Sequence, residues 1–180
     1  VLERGALRAI AGLDAGETVN AAAWQGAARL WLGTARGLVR VDGGVAVTRR
    51  LGAGDGLPSS VVRSLLVLSP GRLLVGTDEG AAFVDGDRVT PLVAAGEKGR
   101  RAALDSPMHA TWALAKDADG TLFVGTSTGL YFGKDGVFQR ASVSSGELAD
   151  DWVTALAVVG SGARTRIFAG SYSGGVTRLT

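Results

Sequence analysis

The 180-residue sequence combines 46% apolar and 20% charged residues with 19 basic and 17 acidic side chains, one histidine and no cysteine. Its length and apolar content suit one folded domain, and the balanced charge argues against a nucleic-acid partner. The lack of cysteine excludes disulfides and thiolate ligands or nucleophiles, and a single histidine argues against a typical zinc site. We therefore predict no metal and no other cofactor.

No apolar run approaches the ~18 residues of a membrane span, so we expect no direct insertion into a membrane. The sequence begins at Val1 and carries no recognisable signal peptide. These features are typical of a processed product or an excised piece of a longer chain. The 28 glycines follow no collagen-type period and lie between short apolar runs, which indicates many turns.

In chain order, the predicted elements start with one strand, contained in ERGALRAIAG at residues 3–12. Four units of similar length follow. Each consists of short runs rich in Val, Leu, Phe and Trp, separated by Gly, Asp and Ser. The last unit lacks a fourth strand, and the N-terminal strand is predicted to complete it. The predicted boundaries are 1–12 for this outer strand and 18–51, 60–94, 109–143 and 151–180 for the four units.

One motif recurs in all four units at intervals of about 45 residues: LWLGTARG at 30–37, LLVGTDEG at 73–80, LFVGTSTG at 122–129 and IFAGSYSG at 167–174. A period in this range is typical of propeller blades or of α-helical repeats. No apolar stripe of helical period is present, which decides against helices. Four short antiparallel strands per unit, joined by tight turns, predict an all-β fold, a β-propeller of about four blades.

The glycines of this motif also invite comparison with a phosphate-binding loop. Such loops lead into a helix, through Gly-Lys-Ser/Thr or GxGxxG, whereas here a further strand follows. We therefore predict a hairpin turn in which the first glycine allows close backbone packing and the last adopts a positive φ. The glycines predicted to have a positive φ are Gly37, Gly80, Gly129 and Gly174.

Two assemblies would provide hydrogen-bond partners for the unpaired strand edges at the two ends of the chain. In the first, the chain closes on itself as a four-bladed ring, with the N-terminal strand completing the C-terminal blade. In the second, it forms half of a larger propeller and pairs its ends with a second copy or with the remaining blades of the same protein. The two assemblies differ in the molar mass that they predict.

The turns between the second and third strands and the connections between blades lie on one face of a propeller. These turns carry different residues in each repeat, as expected of a scaffold that presents a binding surface. Alignment of the innermost strands puts Arg63, Trp112 and Thr154 at one equivalent position near the central channel, where hydrogen bonding and stacking would hold a polar ligand. The alternative is that Trp112 belongs to the core and Arg63 to a channel-lining salt bridge. The candidate ligand-binding residues are Arg36, Arg63, Asp78, Glu79, His109, Trp112, Thr128, Asp151 and Tyr172.

Catalytic chemistry has little support in the sequence. Asp105, Asp150 and Asp151 could form a glycosidase pair, but adjacent acids in loops are more often turn formers or surface charge. No GxSxG elbow accompanies His109. The remaining aromatic residues, Trp152 among them, are predicted to pack between blades. We therefore predict no catalytic residue.

The segment LGAGDGLPSSVVRSLLVLSPGRLLVGTDEGAAFVDG at 51–86 resembles the two-component regulator propeller repeat. The family pattern joins an Asp-Gly-Leu element to a Val-x-Ser-aliphatic strand, a glycine turn and an apolar-Gly-Thr-x-x-Gly hairpin. The hairpin is present in all four units, with Gly170-Ser171 in the last, whereas Asp-Gly-Leu is clear only once. The matching residues are Asp55, Gly56, Leu57, Val62, Ser64, Leu65, Gly71, Gly76, Thr77 and Gly80.

The resemblance implies the extracytoplasmic, periplasmic sensor part of a bacterial hybrid histidine kinase, which detects a carbohydrate or another small ligand. Rings of that family usually have more blades than this chain encodes, which favours a piece of a larger ring or a homo-oligomer. The leading hypothesis is a non-enzymatic, ligand-binding sensor module. The alternatives are a protein–protein interaction or self-assembling scaffold and, with less support, a propeller lyase or glycosidase.

Overall fold

The computed structural model describes residues 2–3, 6–7, 9–43, 45–92, 110–135, 137–160 and 164–179. The described strands form four successive antiparallel sheets, which are propeller blades, and a two-stranded N-terminal hairpin. Within each blade, strands that follow one another in sequence are also neighbours in the sheet. The prediction of an all-β fold with about four propeller blades is confirmed.

The hairpin joins β1 (Leu2–Glu3) and β2 (Ala6–Leu7). Blade 1 contains β3 (Val19–Gln25), β4 (Arg29–Thr34), β5 (Gly37–Asp42) and β6 (Ala46–Leu51). Blade 2 contains β7 (Val62–Ser69), β8 (Arg72–Thr77), β9 (Gly80–Asp85) and β10 (Arg88–Pro91). Blade 3 contains β11 (Thr111–Lys116), β12 (Leu122–Thr126), β13 (Gly129–Lys134) and β14 (Val137–Ala141). Blade 4 contains β15 (Val153–Val159), β16 (Arg166–Ser171) and β17 (Val176–Leu179).

The described residues include no α-helix, and one 3-10 turn, Ala53–Asp55, is described in full. This turn lies in the connection between blades 1 and 2. The same residues include no helix that is long and apolar enough to cross a membrane.

The second strand of blades 1 to 3 is apolar on both faces, unlike a strand with one solvated side. Leu73, Leu74 and Val75 of β8 are all buried, because blade 1 covers one face of blade 2 and blade 3 covers the other. Strand β16 occupies the same place in blade 4 but is mostly only partly buried. Its sheet packs against blade 3 on one face only.

The Gly-Thr-x-x-Gly motif forms the turn between the second and third strands, as predicted. In blade 2, the buried Thr77 Oγ1 donates a hydrogen bond to the carbonyl oxygen of Gly80 at 2.9 Å and accepts one from the N–H of Glu79 at 3.2 Å. Blades 1 and 3 repeat both bonds. A β-carbon on Gly76 would lie 2.7 Å from the carbonyl oxygen of Thr111 in blade 3, so the close packing expected of the first glycine is confirmed.

The last glycine of the motif has the expected conformation in three blades. Its φ is 135° in Gly37, 126° in Gly80 and 133° in Gly129. The prediction for Gly174 is wrong. The turn of blade 4 is one residue longer, so Gly175 adopts the positive φ, 73°, and its carbonyl oxygen accepts the hydrogen bond from the N–H of Ser171.

Among the described residues, the N-terminal strand does not pair with the last blade, contrary to the prediction. Strand β1 pairs with β2, and blade 4 has three strands among the described residues. The residues after the hairpin lie along blade 1 instead. Ala11 forms a parallel bridge with Ala46, and Ile10 and Leu13 pack on the face of blade 1 that is turned away from blade 2. Burial of that apolar face stabilises this placement.

The four blades follow one another in an arc. The innermost strands β3, β7, β11 and β15 contact each other in that order. No contact of similar extent joins β15 back to β3 in the described ranges. Both end faces of the arc keep exposed apolar side chains, Trp24 on blade 1 and Val159 on blade 4.

Candidate ligand-binding face

The innermost strand of every blade has an irregular register at the same place. In blade 2, the paired residues pass from Val62 to Ser64 and leave Arg63 without a partner in the ladder. Such β-bulges re-aim one side chain out of the regular alternation. The equivalent residues in the other blades are Asn20, Trp112 and Thr154. The equivalence predicted for Arg63, Trp112 and Thr154 is therefore confirmed.

Arg63 is held by the turn of its own blade. Its Nε and Nη2 donate hydrogen bonds to the two carboxylate oxygens of Asp78 at 2.5 and 3.0 Å. These bonds raise the pKa of Arg63 above its ordinary value. The result is a bidentate, charge-neutral pair that is partly exposed at the surface. The salt bridge of the alternative interpretation is thus present, and it joins two of the candidate site residues.

Aromatic rings continue from Arg63 across the next two blades. The Arg63 guanidinium carbon lies 4.8 Å from the centroid of the Trp112 ring, within cation–π range. The Trp112 ring is 5.8 Å from that of Trp152, at an interplanar angle of 53°. Trp152 stacks on Tyr172 at 4.6 Å and 21°. We call Arg63, Trp112, Trp152 and Tyr172 the aromatic array.

The array runs from a partly buried end to an exposed end. Arg63, Trp112 and Trp152 are partly buried, whereas Tyr172 is 72% exposed. Because Trp152 stacks on one side of the Tyr172 ring, the exposed side of that ring is open to solvent. The array therefore presents a flat apolar surface at the edge of blade 4.

Asp150 orders the exposed end of the array. Its carboxylate accepts hydrogen bonds from the N–H of Trp152 at 3.0 Å, the N–H of Ser173 at 2.9 Å and the Ser173 hydroxyl at 2.8 Å. The bonds from Trp152 and Ser173 lower the pKa of Asp150. One ionised carboxylate thus ties together the segments that carry Trp152 and Tyr172.

Two hydrogen-bond donors of the array are unused. Nε1 of Trp112 and Nε1 of Trp152 are buried and have no acceptor among the described residues. A buried donor without a partner costs about 1–3 kcal/mol. A bound molecule that supplies an acceptor would remove this cost. The array thus combines apolar ring faces, two indole N–H donors and the charge-neutral pair of Arg63 and Asp78.

Two candidate residues are engaged away from the array. Arg36 pairs with Asp14 at 3.4 Å on the exposed turn of blade 1. Asp151 accepts a hydrogen bond from the N–H of Val143 at 2.7 Å, so its carboxylate orders the connection between blades 3 and 4. Neither side chain is part of the array.

The remaining candidates do not join the array either. Glu79 is exposed in the turn of blade 2, and the Thr128 hydroxyl lies 3.2 Å from that of Thr126 within the turn of blade 3. His109 and Asp105 lie outside the described residues. In the described part of the chain, no group of three or more acidic or histidine side chains is placed to hold a metal ion.

Sequence reasoning missed Trp152 as a member of the site. This residue directly precedes β15, and its carbonyl oxygen accepts a hydrogen bond from the N–H of Tyr172 at 2.9 Å. A hydrogen bond of the same kind occurs at the same place in the other blades, where the accepting residues are Thr18, Val61 and Ala110. The large ring in the position of these smaller side chains is the signal that could have identified it.

Solved structures similar to this chain are β-propeller domains. One is the extracellular domain of a B. thetaiotaomicron protein assigned to the hybrid two-component systems, with 20% identity and a TM-score of 0.71 over 91% of this chain and 21% of that one. The WD40 β-propeller domain of Doa1 is 13% identical, with a TM-score of 0.68 over 91% and 51% of the two chains. YCF48 bound to a D1 peptide is 14% identical, with a TM-score of 0.59 over 95% and 53%.

This chain therefore spans between about a fifth and about a half of the length of those proteins. At such low identity the likeness shows the propeller fold. Neither protein-family models nor curated proteins give a match to the sequence.

Proposed function

We propose that the chain is a non-enzymatic sensor module that binds a small molecule on the aromatic array. The array itself is the observation that carries the proposal. It offers an exposed ring, Tyr172, stacked on Trp152, together with buried indole donors that lack an acceptor. Ligand sites are typically built this way, from apolar and aromatic surfaces with a few polar groups that fix orientation.

A neutral ring ligand with several hydroxyl groups, such as a carbohydrate, fits this chemistry. The apolar face of a sugar ring packs on an aromatic ring, and its hydroxyls both donate and accept hydrogen bonds. The indole N–H groups of Trp112 and Trp152 are buried donors without an acceptor. The Arg63–Asp78 pair carries no net charge, so it gives a charged ligand no overall attraction.

The module would serve as the sensor part of a bacterial two-component protein outside the cytoplasm. The resemblance of residues 51–86 to the regulator propeller repeat supports this placement. Extracellular domains of B. thetaiotaomicron proteins assigned to two-component and one-component systems share the propeller fold of this chain, which adds support.

Titration with a panel of mono- and disaccharides tests the proposal. A ligand that binds the array is expected to raise Tm and to change the tryptophan fluorescence. Tyr172→Ala should weaken binding of the same sugar about fivefold, because an aromatic contact contributes about 1 kcal/mol. Trp24→Ala is the control, since Trp24 is 54% exposed on β3 outside the array. Failure of every sugar to raise Tm, or unchanged binding by Tyr172→Ala, contradicts the proposal.

Self-assembly is a second candidate function, favoured by the face of blade 4 that is turned away from blade 3. Ala157 and Phe168 are cross-strand partners there, as Ala115 and Phe123 are on the same face of blade 3. Phe123 is buried by blade 4, whereas Ala157 is exposed. The repeated face suits a further blade, from a second copy or from the same protein. Light scattering distinguishes a single chain from a two-copy assembly.

A further inference from the structure

A cleft of about 430 Å³ lies between blades 2 and 3. The turns that line it follow β7, β11 and β13, so it opens on the face opposite the turns that carry Asp78 and Tyr172. Its volume falls in the range of small-molecule sites, roughly 300–1,000 Å³. No residue of the aromatic array lines it.

The cleft has an apolar base. Leu122 and Phe138 are 8% and 6% exposed, and Leu68 and Phe83 pack against the same core cluster. Phe83 is covered in addition by the guanidinium of Arg72, which lies 4.5 Å from its ring centroid. These side chains offer a ligand apolar contact on the side away from solvent.

Lys116 and Lys134 supply positive charge above this base. The Lys116 ammonium donates a hydrogen bond to the carbonyl oxygen of Leu68 at 3.1 Å, and the Lys134 ammonium donates one to that of Asp119 at 2.8 Å. Both partners are neutral backbone groups. Among the described residues, no carboxylate lies within ion-pair distance of either ammonium. Both charges are therefore uncompensated by a direct ion pair.

Comparison of the blades shows that Lys134 carries a positive charge at a position where blades 1 and 2 have a negative one. The cross-strand pair at the start of the second strand and the end of the third is Arg29–Asp42 in blade 1 and Arg72–Asp85 in blade 2, with ion-pair distances of 3.2 and 3.4 Å. In blade 3, Lys134 takes the place of the aspartate, five residues after the turn glycine. The strand is thus retained at this position of the repeat, and the side-chain charge changes from negative in Asp42 and Asp85 to positive in Lys134.

In the corresponding space between blades 1 and 2, the polar side chains bind one another or the backbone. It is lined by Gln25, Arg29 and Asp42. Arg29 pairs with Asp42, and the Gln25 amide donates to the Ser69 carbonyl oxygen at 3.2 Å and accepts from Trp31 Nε1 at 3.0 Å. Only the cleft between blades 2 and 3 combines an apolar base with lysines that lack a carboxylate, within the described part of the chain.

We propose that this cleft binds a small organic monoanion with an apolar body. The anionic group would lie between the ammonium groups of Lys116 and Lys134, where charge-assisted hydrogen bonds form, and the body would lie on Leu122 and Phe138. Asp135 also lines the cleft, and Arg72 is offset by Asp85. With the pair of Arg72 and Asp85 counted as neutral, Lys116, Lys134 and Asp135 leave a single positive charge at the cleft, which favours a monoanion over a more highly charged ligand.

Two fluorescent probes that differ in charge test the proposal. Anilinonaphthalene sulfonate is an amphipathic monoanion, and N-phenylnaphthylamine has a similar apolar body without the charge. Lys116→Met/Lys134→Met is expected to weaken sulfonate binding about tenfold, since it removes both charge-assisted contacts to the anionic group. Binding of the neutral probe should change less than about twofold. Lys134→Asp, which restores the residue type of blades 1 and 2, should weaken sulfonate binding at least as much as the double substitution.

The matched control removes two positive charges outside the cleft, on blade 4. Arg166→Met/Arg178→Met changes exposed arginines on blade 4 and should leave sulfonate affinity within about twofold of the starting protein. Circular dichroism and Tm identify any variant that fails to fold. Unchanged sulfonate affinity in the lysine variants, an equal loss in the arginine control, or an equal loss of the neutral probe would each overturn the proposal.

Discussion

The ring of Trp152 stacks on the ring of Tyr172 at 4.6 Å, while its carbonyl oxygen accepts the Tyr172 N–H at 2.9 Å. The same backbone bond occurs at the equivalent place in the other blades, so the sheet register brings these two positions together in each repeat. Blade 4 alone has aromatic residues at both ends of the bond. The stack is therefore a change of side chains on a repeated backbone, and its position follows from the repeat.

Asp150→Ala is expected to loosen the exposed end of the array and to leave the blades folded. The substitution removes the acceptor for the N–H of Trp152 and for both Ser173 donors. Near-ultraviolet circular dichroism and tryptophan fluorescence should change, with the far-ultraviolet spectrum unchanged. Asp151→Ala is the matched control, because its carboxylate binds Val143 instead. Identical near-ultraviolet spectra for Asp150→Ala and the starting protein contradict this role.

The same carboxylate gives the turn a pH dependence. The pKa of Asp150 is lowered in the folded state by its hydrogen bonds. A carboxylate whose pKa is lower in the folded than in the unfolded state stabilises the folded state fully above the unfolded-state pKa, which is near 4 for aspartate. This contribution is lost as the pH falls through the folded-state pKa. The near-ultraviolet signal should thus decline below about pH 4, and Asp150→Ala should lack that transition.

Arg63 and Asp78 should be energetically coupled. A double-mutant cycle with Arg63→Met and Asp78→Asn is expected to give a coupling free energy of about 1 kcal/mol, because the pair is bidentate and only partly exposed. Urea unfolding of the four proteins measures it. The exposed pair Arg36–Asp14, at 3.4 Å, is the control and should give a value near zero. Equal coupling in the two pairs would show that the bidentate geometry adds nothing.

Local hydrogen bonding explains why the repeated fold could be predicted from the sequence. Thr77 and Gly80 form a turn whose partners lie within three residues, so the motif predicts the hairpin by itself. The alignment of Arg63 with Trp112 followed for the same reason, since each has the same offset from its hairpin. Gly174 was assigned wrongly because one additional residue in the turn transfers the positive φ to Gly175.

Such local patterns do not predict contacts between segments that are distant in the sequence. The stack of Trp112 with Trp152 depends on how blade 4 packs against blade 3. The packing of Ile10 on blade 1 depends on which face is turned away from blade 2. Alignment of the repeats is enough to place Lys134 where blades 1 and 2 have aspartate, whereas the cleft around it depends on how blades 2 and 3 pack.

The face of blade 4 that is turned away from blade 3 and carries Ala157 should mediate association if a second copy provides the next blade. Light scattering is then expected to give a molar mass of about two chains, each of 18.3 kDa. Ala157→Arg should reduce the mass to that of one chain, because a charge on this face opposes burial. Ala118→Arg, in an exposed turn of blade 3, should have no effect. A single-chain mass for the starting protein at every concentration excludes the two-copy assembly.

Glu17 and Arg50 fasten the N-terminal segment to β6. Arg50 Nη1 and Nη2 donate to the two carboxylate oxygens of Glu17 at 2.8 and 2.9 Å, and the Glu17 side chain is only 1% exposed. These bonds lower the pKa of Glu17 from its ordinary value of 4.5 to about 2. Because the folded pKa lies below the unfolded one, the pair stabilises the protein fully above about pH 4.5, and this contribution is lost as the pH falls towards about 2.

Glu17→Gln should therefore lower the free energy of unfolding by about 1–2 kcal/mol at pH 7, since it replaces charged hydrogen bonds by weaker neutral ones. The difference from the starting protein should shrink between pH 4.5 and 2, where Glu17 itself becomes protonated. Urea unfolding at pH 7, 4 and 2 measures both effects. Asp87→Asn changes an exposed carboxylate and should shift stability by less than about 0.5 kcal/mol. A constant difference between Glu17→Gln and the starting protein at all three pH values would contradict the linkage, because the pair would then contribute equally with and without its charge.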